Sequence, residues 1–187
     1  MVKCAVFASG RGTNFENLVT SEIPNLDIVL LVTDQICRAL EIASRNRIEA
    51  KSFIRQDYLS RRAMEEHIAA LLDERGIQLI VLAGYMRLLS PWFVHRYHER
   101  IINIHPSLLP HYKGKHAIEQ AYSDGKDIYG VSIHYVNEGM DEGEIIAQSR
   151  IHYDGTDLAE LEQLVHETEY RLYPQVIREI CSQRRFT

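Results

Sequence analysis

"IQLIVLAG", residues 77–84, decides the fold class. It is apolar almost throughout, with none of the in–out alternation of a strand that faces water. Such a strand is covered on both sides, as in a parallel sheet between two helix layers. On its N-terminal side, "SRRAMEEHIAALLDERG" (60–76) puts Met64, Ile68, Leu71 and Leu72 on one helical face and stops at Gly76. Further back, "KCAVFAS" (3–9) reads as a short buried strand, followed by the turn "GRGTN" and a helix from near Asn14. "LDIVLLVTD" (26–34) is a strand rich in β-branched residues, "ALEIASRNR" (39–47) a helix, and "AKSFI" (50–54) a weaker strand. On the C-terminal side, "SPWFVHRYHER" (90–100) is a short helix with Pro91 in its first turn. "IINIH" (101–105) is the next strand and "HAIEQAYSDG" (116–125) the next helix.

The repeated strand–helix unit predicts an α/β fold with a doubly wound, mostly parallel sheet. The end of the chain changes character. "YGVSIHYV" (129–136) and "GEIIAQSRIHY" (143–153) are separated only by the tip "NEGMDEG", which leaves no room for a crossover helix. They predict a C-terminal antiparallel hairpin. A long C-terminal helix follows from near Thr156, capped by Thr156 or Asp157, and Pro174 must kink it or mark a restart. The terminal "SQRRF" (182–186) reads as a basic helix end.

At 187 residues the chain can bury a substantial core, and no linker or repeat divides it, so residues 1–187 are expected to form a single domain. Hydrophobic residues make up 45% and charged residues 25%, the balance of an ordinary globular protein. A formal charge of −5 argues against a general nucleic-acid surface. No stretch approaches a membrane span, and the N-terminus lacks a signal-peptide pattern. Cys4, Cys37 and Cys181 are odd in number and widely spaced, which reads as reduced thiols in a cytoplasmic protein. His95 and His98 are three residues apart on a short helix without a carboxylate at zinc-ligand spacing, so no metal site is expected.

Two loops carry chemistry. In "ASGRGTN" (8–14), Gly10 and Gly12 allow a tight turn at the mouth of a helix, where free N–H groups favour a phosphate. Asp34 supplies an acid at a spacing compatible with a dinucleotide fingerprint. Phe15, however, occupies the third glycine position, so a monophosphate loop is the better reading. In "IINIHPSLLPHYKG" (101–114), Asn103 and His105 lie two apart on a strand and project to the same face. Pro106 and Pro110 stiffen the exit. An amide beside an imidazole suits acyl transfer, where an oxyanion forms and a proton must move. Ser107 lies beyond a proline, so direct transfer without a covalent enzyme intermediate fits best. The tip "NEGMDEG" offers Glu138, Asp141, Glu142 and Glu144 as carboxylate partners, and spacing alone does not choose among them.

Taken together, "FASGRGTN" (7–14), "VLAGYMRLLSP" (81–91), "NIHPSLLPHYKG" (103–114), "HYVNEGMDEGEIIAQ" (134–148) and "ETEYRLYP" (167–174) resemble the phosphoribosylglycinamide formyltransferase family. The likeness runs over essentially the whole chain. It implies the formyltransferase fold and transfer of formyl from the co-substrate 10-formyltetrahydrofolate to the amine of glycinamide ribonucleotide, in purine biosynthesis. By position, His105 matches the proton donor, Asn103 the oxyanion and folate contact, and Asp141 the carboxylate that supports the histidine's charge and relays the proton. Gly12, Thr13, Asn14, Phe15 and Glu16 match the segment around the ribotide phosphate, and Glu169 the carboxylate on the ribose hydroxyls. Met86, Arg87, Leu88 and Leu89 match the folate-binding segment, and Arg61 a folate contact nearer the entrance. The resemblance implies small-molecule partners and no metal, with a monomer or a homodimer as the assembly.

Three other readings are set against it. Methionyl-tRNA formyltransferase shares the Asn-x-His-Pro-Ser core but lacks this phosphate loop. A formyltetrahydrofolate deformylase shares the hairpin wording but has no ribotide to hold. A non-catalytic ribotide- or folate-binding module would not need Asn103, His105 and Asp141 together. Tyr85 and Tyr135 read as walls, and His134 as a residue that structures the site.

Overall fold

The computed structural model describes residues 1–183, so the basic stretch beyond Gln183 lies outside the described residues. Seven strands form one sheet: β1 (Val2–Ala8), β2 (Leu26–Thr33), β3 (Glu49–Ser52), β4 (Leu79–Leu82), β5 (Ile101–His105), β6 (Ile128–Tyr135) and β7 (Ile145–His152). Their order is β3-β2-β1-β4-β5-β6-β7. The first five are mutually parallel, whereas β6 runs antiparallel to both β5 and β7. Among the described residues six α-helices accompany them: α1 (Thr13–Thr20), α2 (Ala39–Arg45), α3 (Arg61–Glu74), α4 (Pro91–Arg96), α5 (Ala117–Ser123) and α6 (Leu158–Ser182). Among the described residues no helix is long and apolar enough to cross a membrane.

β1 shows why the central strands lack alternation. Cys4, Val6 and Ala8 enter one core with Phe15, Leu18, Val165, Tyr173 and Ile177. Ala5 and Phe7 enter the other, with Ile68, Leu72, Phe93 and Tyr97. Both faces are therefore dry, and each large side chain buried there contributes about 1.5–3 kcal/mol. The regular part of β4 is shorter than the apolar run that predicts it, because the chain turns at positive φ at Gly76 (66°) and Gly84 (73°).

The order of the strands reverses between β1 and β4, and ligands of open α/β sheets bind at such a switch point. The glycine turn leaves the end of β1, and residues 84–90 leave the end of β4. Asn103 and His105 end the neighbouring β5, with Asn103 beside Leu82 on one flank and His134 on the other.

α6 begins with Asp157 as its cap, whose side chain accepts the Ala159 N–H. It continues through the buried Pro174 without a restart. A proline removes one helical N–H and so frees the carbonyl four residues earlier. That carbonyl, on Tyr170, accepts the Asn17 side-chain amide at 2.9 Å. The helix defect thus becomes the joint that docks α1 onto α6. Tyr173 adds a second tie, its buried hydroxyl donating to the Leu82 carbonyl at 2.8 Å.

Candidate active site

Asn103, His105 and Asp141 come together although Asp141 lies on a different element. The β6–β7 tip carries Asp141 in the left-handed region (φ 53°) and aims its carboxylate back at the end of β5. Asp141 Oδ2 lies 3.4 Å from His105 Nδ1 and accepts the Gly114 N–H at 2.8 Å. Its Oδ1 lies 3.5 Å from both Asn103 Nδ2 and His134 Nε2. Gly143 makes this approach possible, since a Cβ there would sit 1.6 Å from the Tyr135 carbonyl oxygen. Two other acids of the tip are paired elsewhere: Glu138 with His95 at 2.6 Å, and Glu142 with Lys113 at 2.8 Å.

The histidines are oriented by backbone carbonyls, which only accept. His105 donates Nε2–H to Tyr112 O at 2.7 Å, leaving Nδ1 to face Asp141. His134 donates Nδ1–H to Tyr135 O at 2.8 Å, and its Nε2 lies 3.2 Å from Asn103 Nδ2. Burial alone would push the Asp141 carboxyl up. Hydrogen bonds from His134 and the Gly114 N–H, with the His105 and His134 charges, outweigh it and hold the group below the usual aspartate range. Ser107 is not available as a nucleophile: it is buried, and its hydroxyl donates to His111 O at 2.6 Å.

The glycine loop forms a second centre. Gly12, at φ 72°, precedes α1, and a Cβ there would lie 2.9 Å from that of Ala39. Thr13 and Asn14 open the helix. Asn14 Nδ2 donates to Glu169 Oε2 at 3.2 Å, while Asn14 Oδ1 is buried without a partner. Phe15 is wholly buried in the core, so only its backbone can face a ligand, and Glu16 pairs with Arg38 at 3.2 Å. His166, which pattern reading passes over, joins this centre with Nδ1 3.0 Å from Glu169 Oε2. That bond holds the imidazole above the usual histidine range, against burial and the charge of Arg11. The signal in the sequence is a His-x-x-Glu pair, one helical turn apart, ending at Glu169.

The third centre is the segment after β4. Met86 and Leu88 are exposed, Arg87 pairs with Asp34 at 2.7 Å, and Leu89 packs against the second core. Arg61 donates to the Leu88 carbonyl and pairs with the buried Glu65 at 3.1 Å. Tyr85 packs edge-on against Phe7, and burial pushes its phenol far up, so it is a wall rather than an acid. Among the described residues no group of three or more His, Cys, Asp or Glu is placed to hold a metal ion.

A mostly parallel sheet with an Asn–His–Asp cluster at its carboxyl edge, a glycine loop and an apolar segment defines an acyl-handling enzyme of the α/β class. The formyl transferase family model matches residues 2–177, and the chain belongs to that family. Within it, the phosphoribosylglycinamide formyltransferase of Bacillus subtilis is 42% identical over 185 residues, covering 96% of this chain and 95% of that protein. Glycinamide ribonucleotide transformylase 1 from Geobacillus kaustophilus superposes with a TM-score of 0.93 at 43% identity, covering 97% of this chain and 99% of that one. The human trifunctional purine biosynthetic protein adenosine-3 is 34% identical over 186 residues, which are 18% of its length.

Proposed function

We propose that the chain is a phosphoribosylglycinamide formyltransferase of the cytoplasm, residues 1–187 acting as one catalytic domain. It moves formyl from 10-formyltetrahydrofolate to the amine of glycinamide ribonucleotide. The observation that carries this reading is the approach of Asp141 to both His105 and Asn103, from a separate hairpin, beside the glycine loop.

The ribotide phosphate rests on the N–H groups at Gly12–Asn14, where the helix N-terminus favours an anion. Glu169 accepts from the ribose hydroxyls, and a hydroxyl supplies the donor that Asn14 Oδ1 lacks. The folate ring lies along Met86–Leu89, between exposed apolar side chains and backbone groups, with Arg61 at the entrance. The ribotide amine attacks the formyl carbon, and negative charge builds on the formyl oxygen. Asn103 and the His105 imidazolium stabilise that oxygen, an interaction whose loss costs about 3–4 kcal/mol of barrier. Asp141, poised as a carboxylate, takes up the amine's proton, and His105 delivers one to the departing folate nitrogen. The Nε2–H bond to Tyr112 O keeps the ring still while Nδ1 exchanges the proton.

The test mixes the protein with 10-formyltetrahydrofolate, with and without glycinamide ribonucleotide, and follows loss of formyl from the folate. Loss only with the ribotide, and formylated ribotide as product, supports the transferase. Loss without it would make the chain a deformylase, and no loss would make it a binding module.

A further inference from the structure

Ser9 has no part in the chemistry above, yet three hydrogen bonds converge on it at the switch point. It is buried between the end of β1 and the glycine loop. Its N–H donates to the Gly84 carbonyl at 3.2 Å. Its Oγ accepts the Met86 N–H at 2.8 Å, and its carbonyl accepts the Gln35 side-chain amide.

Residues 84–90 have no regular structure, so their shape depends on such ties. Ser9 holds the near end, through Gly84 and Met86. The far end is held by Arg61 on the Leu88 carbonyl and by Glu65, which accepts the Ser90 N–H at 2.8 Å. Asp34, also buried, steadies the middle through Arg87. Ser9 is also bonded directly to Gly10, around which a Cβ would meet nothing within 4 Å, so the space beside the loop is open to a ligand. A phosphate that orders this loop therefore orders the Ser9 peptide, and with it the backbone N–H of Met86.

We infer that Ser9 is a positioning residue that couples the two substrate sites, so that a phosphate in the glycine loop and a folate ring on the 84–89 segment each tighten the other's binding. The inference rests on the function proposed above. Linkage makes the effect reciprocal, and restraint of one segment lowers the ordering cost of the other.

Calorimetric titration with tetrahydrofolate, in the absence and presence of saturating glycinamide ribonucleotide, reads the coupling as a ratio of affinities. For the unaltered protein the ratio is expected to be about fivefold or more. Ser9→Ala removes the acceptor for the Met86 N–H and should bring the ratio close to one. Gln35→Ala alters an exposed side chain, so it serves if Ser9→Ala fails to fold, and should lower the ratio by a smaller factor. A purely structural role would weaken both titrations alike and leave the ratio unchanged in both variants, which overturns the inference. A ratio of one in the unaltered protein overturns it too, with the proposed function intact. If the unaltered protein binds neither ligand, the proposed function fails and the coupling fails with it.

Discussion

The side-chain amide of Asn17 donates to the carbonyl of Tyr170 at 2.9 Å, taking the place of the helical N–H that Pro174 lacks. This bond joins α1, which follows the glycine loop, to α6, which carries Glu169. Asn17→Ala should destabilise the protein by about 1 kcal/mol in urea unfolding. Combining it with Pro174→Ala supplies the carbonyl with a helical N–H, and in that background the Asn17 change should cost clearly less. Equal cost in both backgrounds would mean that the bond does not compensate for the proline.

Asn103→Ala, His105→Ala and Asp141→Ala should each lower turnover by about 100-fold or more while the circular dichroism spectrum is retained. Asn103 and His105 both meet Asp141, so the effects should not add: a double variant of His105 and Asp141 should be little worse than the poorer single one. Near-normal steady-state turnover in any single variant would remove that residue from the chemistry.

Gly143→Ala probes the same centre without touching a functional group. The new Cβ must push the hairpin tip off the Tyr135 carbonyl, and Asp141 moves with it. Turnover should fall nearly as far as in Asp141→Ala. Unchanged turnover would show that the tip accommodates the methyl without moving the carboxylate.

Asp141 and His166 give opposite pH dependences. Asp141 titrates below the ordinary 3.8, so its contribution to stability is present above that value and lost as pH falls through its folded value. The stability gap between the unaltered protein and Asp141→Ala should therefore narrow in urea unfolding below about pH 4. A gap constant from pH 7 to 3 would contradict the shift. His166 titrates above 6.5, so its contribution is complete below that value and lost as pH rises through its folded value. An NMR titration should place its midpoint above 6.5 and find it lower in Glu169→Gln. A midpoint unmoved by that change would remove Glu169 as the cause.

Much of the frame was legible in the chain. Runs such as 3–9 and 77–84 are apolar on both faces because helices cover both sides of the sheet, and that pattern survives in one dimension. Asn103 and His105 could be paired for a similar reason, since strand period alone puts residues two apart on one face. Asp141 could not be chosen among four acids by spacing. That choice depends on Gly143 pressing the tip against Tyr135 and on a left-handed backbone at Asp141, neither of which is local in the sequence.

The sequence by itself determined the alternation of elements, the antiparallel ending and the residue types able to hold a phosphate and an oxyanion, because periodicity, turn chemistry and side-chain chemistry are local properties. Only the tertiary structure decided that the Phe15 ring belongs to the core, that Glu16 turns to Arg38, and that Ser9 grips Met86. Those contacts join residues up to 77 positions apart. They are set by the order of strands in the sheet, and strand order is a property of the packed chain rather than of any stretch within it.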